Sequence, residues 1–441
     1  MASTYLTRTP SSTGNRQIFT FSAWVKRSSV TTSDTLFYTG PNAATTGMIS
    51  LRFVSSGAIN VYQTDIGSFI TTNRLFRDTS AWYHIVLAID TTQATPDDRR
   101  KLYINGVQET SFSTSTEINR NLNLSVNTSG QLQRIGTYAD SSGTVENQFN
   151  GSMSYVALVD GTQELPTIFG ETDSVTGQWK IKTDITPSVA WGTNGFLILK
   201  NGNSLTDEST NTNNFTLGAG TLTNTLDCPD NVFATLNGIL QTNEILSNGN
   251  TSANSASATW SYVATTIGVS SGKWYAEFLC SGAANTFMHG VTDLQYATQQ
   301  GGYIGALTIA RGVGYLSING NAYIDDATSG YGASYVVGDI IGCALDMDNN
   351  KVYFSKNGVW QNSGDPTSGA TGTGALSLPT TGTYAFGTSN KDDSTTNANF
   401  GNGYFGTTAV TSAGTAGSTP GVFEYDVPSG YQPLTTKGLN A

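Results

Sequence analysis

Charge is scarce in this chain. Only 12% of its 441 residues are Asp, Glu, Lys or Arg, and acidic residues outnumber basic ones, 32 to 21. A nucleic-acid groove needs clustered Lys and Arg. The one compact basic run, Arg99-Arg100-Lys101, follows two Asp and reads as a solvated turn. Cysteine is scarcer still: Cys228, Cys280 and Cys343 stand far apart and odd in number, which excludes a disulfide framework and a zinc site. Cys280 and Cys343 fall inside strand patterns, where a thiol acts as a small buried hydrophobe. Of the two histidines, neither His84 nor His289 has a Gly-x-Ser-x-Gly elbow or a plausible Cys partner. Both are expected as packed sheet residues. The glycine-rich loops lack the Lys-Ser/Thr ending of a phosphate loop. No segment repeats apolar residues at helical spacing, and no apolar run nears the ~20 residues of a membrane-spanning helix. No leader pattern opens the chain; Met1 to Arg8 runs straight into strand-like sequence. Cytosolic synthesis without a cleaved signal is therefore expected.

What remains is Gly, Ser, Thr and Asn, with aromatic and branched residues that suit strands. The length predicts two or three domains. Residues 16–27 alternate cleanly: Phe19, Phe21, Ala23 and Val25 share one face, Trp24 and Lys26 the other. Short strands follow at 36–38, 48–53 and 58–62, then 82–90 and 101–107, the last closed by Asn105-Gly106. Phe149-x-Gly151 leads into another alternating strand ending at Asp160. Several short strands with Gly, Asn and Ser turns suggest a sandwich. The second half is organised around 346–361, in which Asp348-Asn349-Asn350 is turn chemistry. Val352 and Phe354 share a face, and Lys356-Asn357-Gly358 signals a type I′ hairpin.

The order of these motifs in the first 160 residues resembles a laminin G-like, concanavalin A-type jelly roll. From about Gln241 to Leu434, the chain resembles a SPRY domain, a β-sandwich that binds other proteins through its loops. Its marks are Gly272 to Phe278, His289 to Asp293, Gly338-Asp339 leading to Asp346 and Tyr353, Asn357-Gly358, Tyr384 to Gly387, Ala398 to Gly401 and Tyr425 to Tyr431. The expected fold is all-β, two sandwiches: 1–162 laminin G-like, 163–238 an ordered connector, 239–441 SPRY-like. The connector holds a short helix at Leu165 to Glu171 with Pro166 in its first turn, a strand at 194–200, and Trp179 and Trp191, which need cover. The domain order, with Tyr5 to Thr9, Trp24 to Arg27, Asn194 to Phe196 and Phe233 to Asn237, resembles structural proteins of marine tailed bacteriophages.

That resemblance implies a virion structural or adhesion protein: tail fibre, tail-associated protein or head decoration. It implies a homo-oligomer, a trimer by preference, on the virion surface. The partners are other virion proteins and a host glycan or protein, with no nucleic acid and no membrane insertion. An intracellular SPRY or lectin-like adaptor is the alternative, and a carbohydrate-active enzyme a third reading. Glycosidases need two carboxyl groups, ~5–5.5 Å apart if retaining and ~6.5–9.5 Å if inverting. The Glu-x-Asp-x-x-Glu strand of concanavalin-type glucanases is missing, Asp346 and Asp348 flank a turn, and Glu164 and Glu171 lie in the connector. No catalytic residue and no cofactor is expected. Laminin G-like units often hold Ca²⁺ at a rim, for which Asp65, Asp90, Asp97, Asp98 and Asp140 are loop candidates, without an assigned ligand set. For binding, Tyr331, Tyr335 and Trp360 fall near turns of the SPRY-like half, either to contact a sugar or protein or to fill the sandwich end. The low-complexity loops 362–375 and 406–421 are expected as mobile tips, or as segments ordered only by a partner subunit.

Overall fold

The alternation in Ile18–Arg27 is realised as a strand with two buried faces. Phe19, Phe21, Ala23 and Val25 enter the main core of the first sandwich, while Trp24 and Lys26 on the opposite face are also buried. The computed structural model describes residues 4–41, 47–140, 142–299, 302–306, 311–415 and 420–440. Strands dominate, and the only helices among the described residues are short 3-10 turns. No helix there is long and apolar enough to cross a membrane. The fold is all-β, as expected, and the chain divides into two units, Met1–Asn224 and Thr225–Ala441.

In the first unit, Ile18–Arg27 lies between Gly151–Asp160 and Trp82–Asp90 in a six-stranded sheet. Facing it is an eight-stranded sheet in which Tyr5–Arg8 pairs with Leu132–Ile135 on one side and Thr216–Ala219 on the other. Phe19, Phe21, Leu36, Phe53, Phe69 and Ile85 fill the space between them. Burying each such side chain contributes about 1.5–3 kcal/mol. Asn105 and Gly106 both take positive φ, 49° and 79°, as the type I′ turn requires.

The expected connector is not a separate element. The outer face of the six-stranded sheet presents Val86, Ala88, Ala157 and Val159, which cannot stay in water. Leu197 of the neighbouring strand joins this face, and Phe169, Ile185, Val189 and Trp191 cover it. Phe196–Ile198 extends the same sheet beside Gly151–Asp160. Residues 163–195 thus form an outer layer of the first unit, 196–224 add one strand to each of its two sheets, and 225–238 belong to the second unit, where Ala234 and Leu236 enter the core. The short helix is a single 3-10 turn, Pro166–Ile168, with Pro166 at its start.

The second unit pairs a seven-stranded sheet, centred on Tyr384–Lys391 and Thr286–Asp293, with a sheet built on Lys273–Gly282, Ile340–Asp346 and Lys351–Lys356. Phe278, Phe287, Ile341, Phe354, Phe386 and Phe400 lie between them. Loop 362–375 is ordered by its own chain. Asp365 accepts from Thr367 N at 2.8 Å, and Tyr431 Oη donates to Pro366 O at 3.1 Å. In loop 406–421, Thr415 N donates to Asp426 at 2.6 Å and Gly414 N to Phe423 O; residues 416–419 lie outside the described residues.

All three cysteines are free; Cys280 and Cys343 are buried and Cys228 is half-buried. Alkylation of the native protein should reach only Cys228, and denaturation without reductant should release all three. Modification of Cys343 before unfolding, or a disulfide in the denatured chain, would contradict this packing.

Candidate binding surface

Of the three aromatic residues placed near binding turns, two face inward. Tyr335 is 1% exposed and Tyr331 6%. Tyr335 Oη donates to Tyr315 O at 2.5 Å, and Tyr331 Oη accepts from Phe354 N at 3.0 Å. The cause is the course of the segment that carries them. Tyr335 N donates to Ser317 O at 3.0 Å and Tyr331 N to Gly320 O at 3.2 Å, which folds 331–335 across the 317–320 turn and drives both rings into the core. Both tyrosines therefore fill the sandwich end. Only Trp360 keeps partial exposure, edge-on to Tyr275 with centroids 6.4 Å apart.

What this segment shows to solvent is aliphatic. Val336, Val337, Ile318 and Val359 are 50%, 42%, 62% and 67% exposed. They stand on connected turns, and the connection is Gly338-Asp339 together with Asn357-Gly358. Asp339 accepts from Val336 N at 2.8 Å and from Asn357 Nδ2 at 2.7 Å. Asn357 Oδ1 accepts from Ile340 N at 2.8 Å, and Lys356 Nζ reaches Asp339 at 3.1 Å and Ser334 O at 2.9 Å. Val337 N donates to Asn285 Oδ1 at 2.7 Å, tying in a third turn. The Asp339–Asn357 clamp thus holds the turns that carry these exposed aliphatic side chains, which need no ordering on contact.

Nucleophilic chemistry finds no support beside it. Cys280 Sγ does lie 3.4 Å from His289 Nε2, a pairing the sequence did not suggest. It joins two sheets, since Cys280 belongs to Lys273–Gly282 and His289 to Thr286–Asp293. Both groups are fully enclosed. Burial raises the thiol well above its usual range and pulls His289 down to about 3, so the pair is a neutral thiol and a neutral imidazole. The hydrogen bonds continue from His289 Nδ1 to Thr388 Oγ1 (3.1 Å), Thr396 Oγ1 (2.9 Å), Asn390 Oδ1 (2.7 Å), and from Asn390 Nδ2 to Glu244 (3.0 Å). Each hydroxyl has one proton, so Thr396 donates to the amide oxygen, Thr388 to Thr396, and His289 carries its proton on Nδ1. In the first unit His84 has the opposite tautomer. Trp179 Nε1 donates to its Nδ1 at 3.0 Å, leaving the proton on Nε2 beside Ser22 Oγ at 2.9 Å. Burial holds this imidazole neutral too, at about 3.

The carboxylates act as turn caps. Asp346 accepts from Asn349 N and Nδ2, Asp348 from Gly272 N, and Asp90 from Thr92 N, Thr92 Oγ1 and Gln93 Nε2. Asp140 holds the backbone of Ser142 and Thr144, and Asp98 pairs with Lys101 at 3.1 Å. Among the described residues no group of three or more His, Cys, Asp or Glu converges to hold a metal. Asp65, Asp90, Asp97, Asp98 and Asp140 therefore do not gather three at a time at one point. An open cleft of about 570 Å³ beside Asp293 is floored by a carboxylate that already accepts from Gln295 N and Thr380 Oγ1.

Residues 2–168 match the family model of the concanavalin A-like lectin/glucanases superfamily, and residues 274–381 match that of the SPRY domain. No curated protein matches the chain. Among solved structures, the SPRY domain of human HERC1 is 17% identical with a TM-score of 0.30, covering 37% of this chain and 96% of that one. The TRIM65 PSpry domain is 13% identical at 0.29, covering 38% and 91%. The heptameric SAP-like pentraxin of Limulus polyphemus is 15% identical at 0.27, covering 35% and 69%. On the two family matches and the sheets that realise them, the chain carries a concanavalin A-like domain followed by a SPRY domain.

Proposed function

We propose that this is a non-catalytic binding protein of a tailed-phage virion surface, whose SPRY-type unit docks a protein partner through the rim formed by Ile318, Val336, Val337 and Val359. The single observation that carries the binding reading is the Asp339–Asn357 clamp, which holds exposed aliphatic side chains in place before any partner arrives. The second unit has six of the 21 basic residues and fifteen of the 32 acidic ones. The net negative charge of the unit favours a partner whose apolar side chains are ringed by Lys and Arg. The virion setting is supported by the order of the two domains and by Tyr5 to Thr9 and Asn194 to Phe196, which resemble phage structural proteins. A homotrimer on the particle would gain avidity from repeated weak rims. The rim suits an intracellular SPRY adaptor equally, so the setting needs its own test.

Mass spectrometry of washed virions should find the polypeptide in the particle. Its absence there, with abundance in infected cells, would replace the virion by the adaptor. The variant Val337→Asp with Val359→Asp should lose roughly tenfold or more of its particle-bound amount or host-cell adsorption, while melting like the parent. Unchanged binding by that variant would sink the rim.

A further inference from the structure

The first unit displays an exposed leucine set between two guanidinium groups. Just past the strand Gly67–Leu75, Phe76 is fully buried; its N donates to Gly57 O at 2.8 Å and its O accepts from Arg27 Nη1 at 2.8 Å. With Phe76 pointing inward, backbone alternation sends Leu75 and Arg77 outward together. Leu75 is 42% exposed, and Arg77 is exposed beside it. Arg77 donates to Ser56 O at 3.4 Å, and among the described residues no carboxylate makes an ion pair with it. Arg74, on the other side of Leu75, lies 5.4 Å from the centre of the Phe76 ring, with Glu109 Oε2 4.0 Å from its Nη1. The nearby carboxylates also bond within their own turns: Asp78 accepts from Ser80 N and Oγ, Glu109 from Ser111 N. The stretch 107–115 edges both sheets of the unit, Val107–Gln108 the six-stranded one and Phe112–Ser115 the eight-stranded one. Asn73 N donates to Ser111 O at 3.0 Å, tying this edge to the strand of Leu75, and Val107 on it is 69% exposed.

We propose that the partner of the rim is a second copy of this chain, with Leu75 and Val107 of one copy packed on Ile318, Val336, Val337 and Val359 of the next. This rests on the rim reading and names its occupant. Both patches are aliphatic and held by their own backbone hydrogen bonds, so neither needs ordering on contact. Their charges are complementary. Five of the six basic residues of the second unit already pair with carboxylates of that unit, which leaves its excess of acid unmet. Arg77 brings a cation that has no carboxylate of its own, and opposite charges across a contact set its register and exclude wrong pairings. The two patches are different surfaces, so the contact is head-to-tail: every copy offers one of each. Repetition closes into a ring if the rotation allows and otherwise gives a filament. A ring of three would be the trimer that the virion reading invokes.

The test is analytical ultracentrifugation of the full chain from about 1 to about 100 µM. The mass should rise with concentration beyond one copy. Val337→Asp with Val359→Asp removes the rim, and Leu75→Asp with Arg77→Glu removes the opposite patch; each variant alone should stay a single copy while melting like the parent. Mixed in equal amounts they should form a dimer and stop there, because one supplies the only intact rim and the other the only intact Leu75 patch. Arg77→Glu alone should weaken self-association roughly tenfold. A parent that remains a single copy throughout would overturn the proposal and leave the rim's own test on particles untouched. A parent that associates while the mixed variants do not would also overturn it, in favour of rim-to-rim contact.

Discussion

Arg27→Ala should destabilise the first unit by about 3–5 kcal/mol, the cost of removing one partner from a buried ion pair. Arg27 is fully buried and its Nη2 lies 3.0 Å from Asp34 Oδ2, itself buried. The guanidinium also donates to Phe76 O at 2.8 Å and sits 4.2 Å above the Phe53 ring. Without it Asp34 keeps the Thr32 hydroxyl at 3.0 Å as its side-chain partner. The loss corresponds to a drop of roughly 6–20 °C in the melting of a unit of this size. Arg27→Met combined with Asp34→Leu removes both charges and should recover most of it, because the pair's attraction mainly offsets its own desolvation. A single Arg27→Ala variant that melts within a degree of the parent would show the pair to be dispensable.

The second large effect is a stability that falls as pH rises from about 4.5 to about 7. Glu244 and Glu277 are buried, and burial raises each carboxyl to about 7 from the usual 4.5. A raised acid holds a proton in the folded chain that it has lost in the unfolded one. Its contribution is therefore fully present below the unfolded value and is lost as pH rises through the folded value. Each glutamate corresponds to about 3 kcal/mol over that interval. Asp34 and Asp160 are raised by burial too and act in the same direction. Glu277 accepts from Glu424 N and Tyr425 N at 2.8 and 2.9 Å, and it keeps these bonds when one oxygen is protonated only at some cost in geometry. Glu244→Gln should flatten the profile of the second unit by about half. Denaturant melts at pH 5, 6, 7 and 8 check this; stability rising between pH 5 and 8, or a Gln variant with the parent's slope, would rule it out.

Much of the fold was legible because its signals are local. Asn105-Gly106 and Asn357-Gly358 require positive φ at both positions and take it, the second pair at 47° and 79°. The alternation of Ile18–Arg27 placed Phe19 to Val25 correctly, and Trp179 and Trp191 announced that something had to cover them. What they cover was not legible. Only the assembled sheet reveals that Val86 and Val159 leave an apolar outer face, so a segment read as a connector became a layer. Two of the three candidate aromatic rings were expected at the surface and lie inside for a related reason. Tyr331 and Tyr335 carry surface-type chemistry, yet two backbone hydrogen bonds to the 317–320 turn send them inward, while valines that look like core residues are left outside. Cys280 and His289 are nine residues apart, but their turn passes from one sheet to the other, which no periodicity within a strand can report.

The pairing of Tyr5–Arg8 with Thr216–Ala219 sets a schedule for synthesis. At about 5–20 residues per second, the earliest strand waits on the order of 10–40 s for its last neighbour. Until then the eight-stranded sheet ends in an open edge, and the outer face under Phe169 and Trp191 is uncovered. The second unit repeats the pattern: Phe233 bridges to Thr435, and Gln432–Pro433 runs beside Trp274. Each nascent unit therefore needs its final stretch before it closes. A shortened product ending near 168, where the matched region stops, would leave the ribosome with an unpaired strand edge and a greasy sheet face, both templates for aggregation.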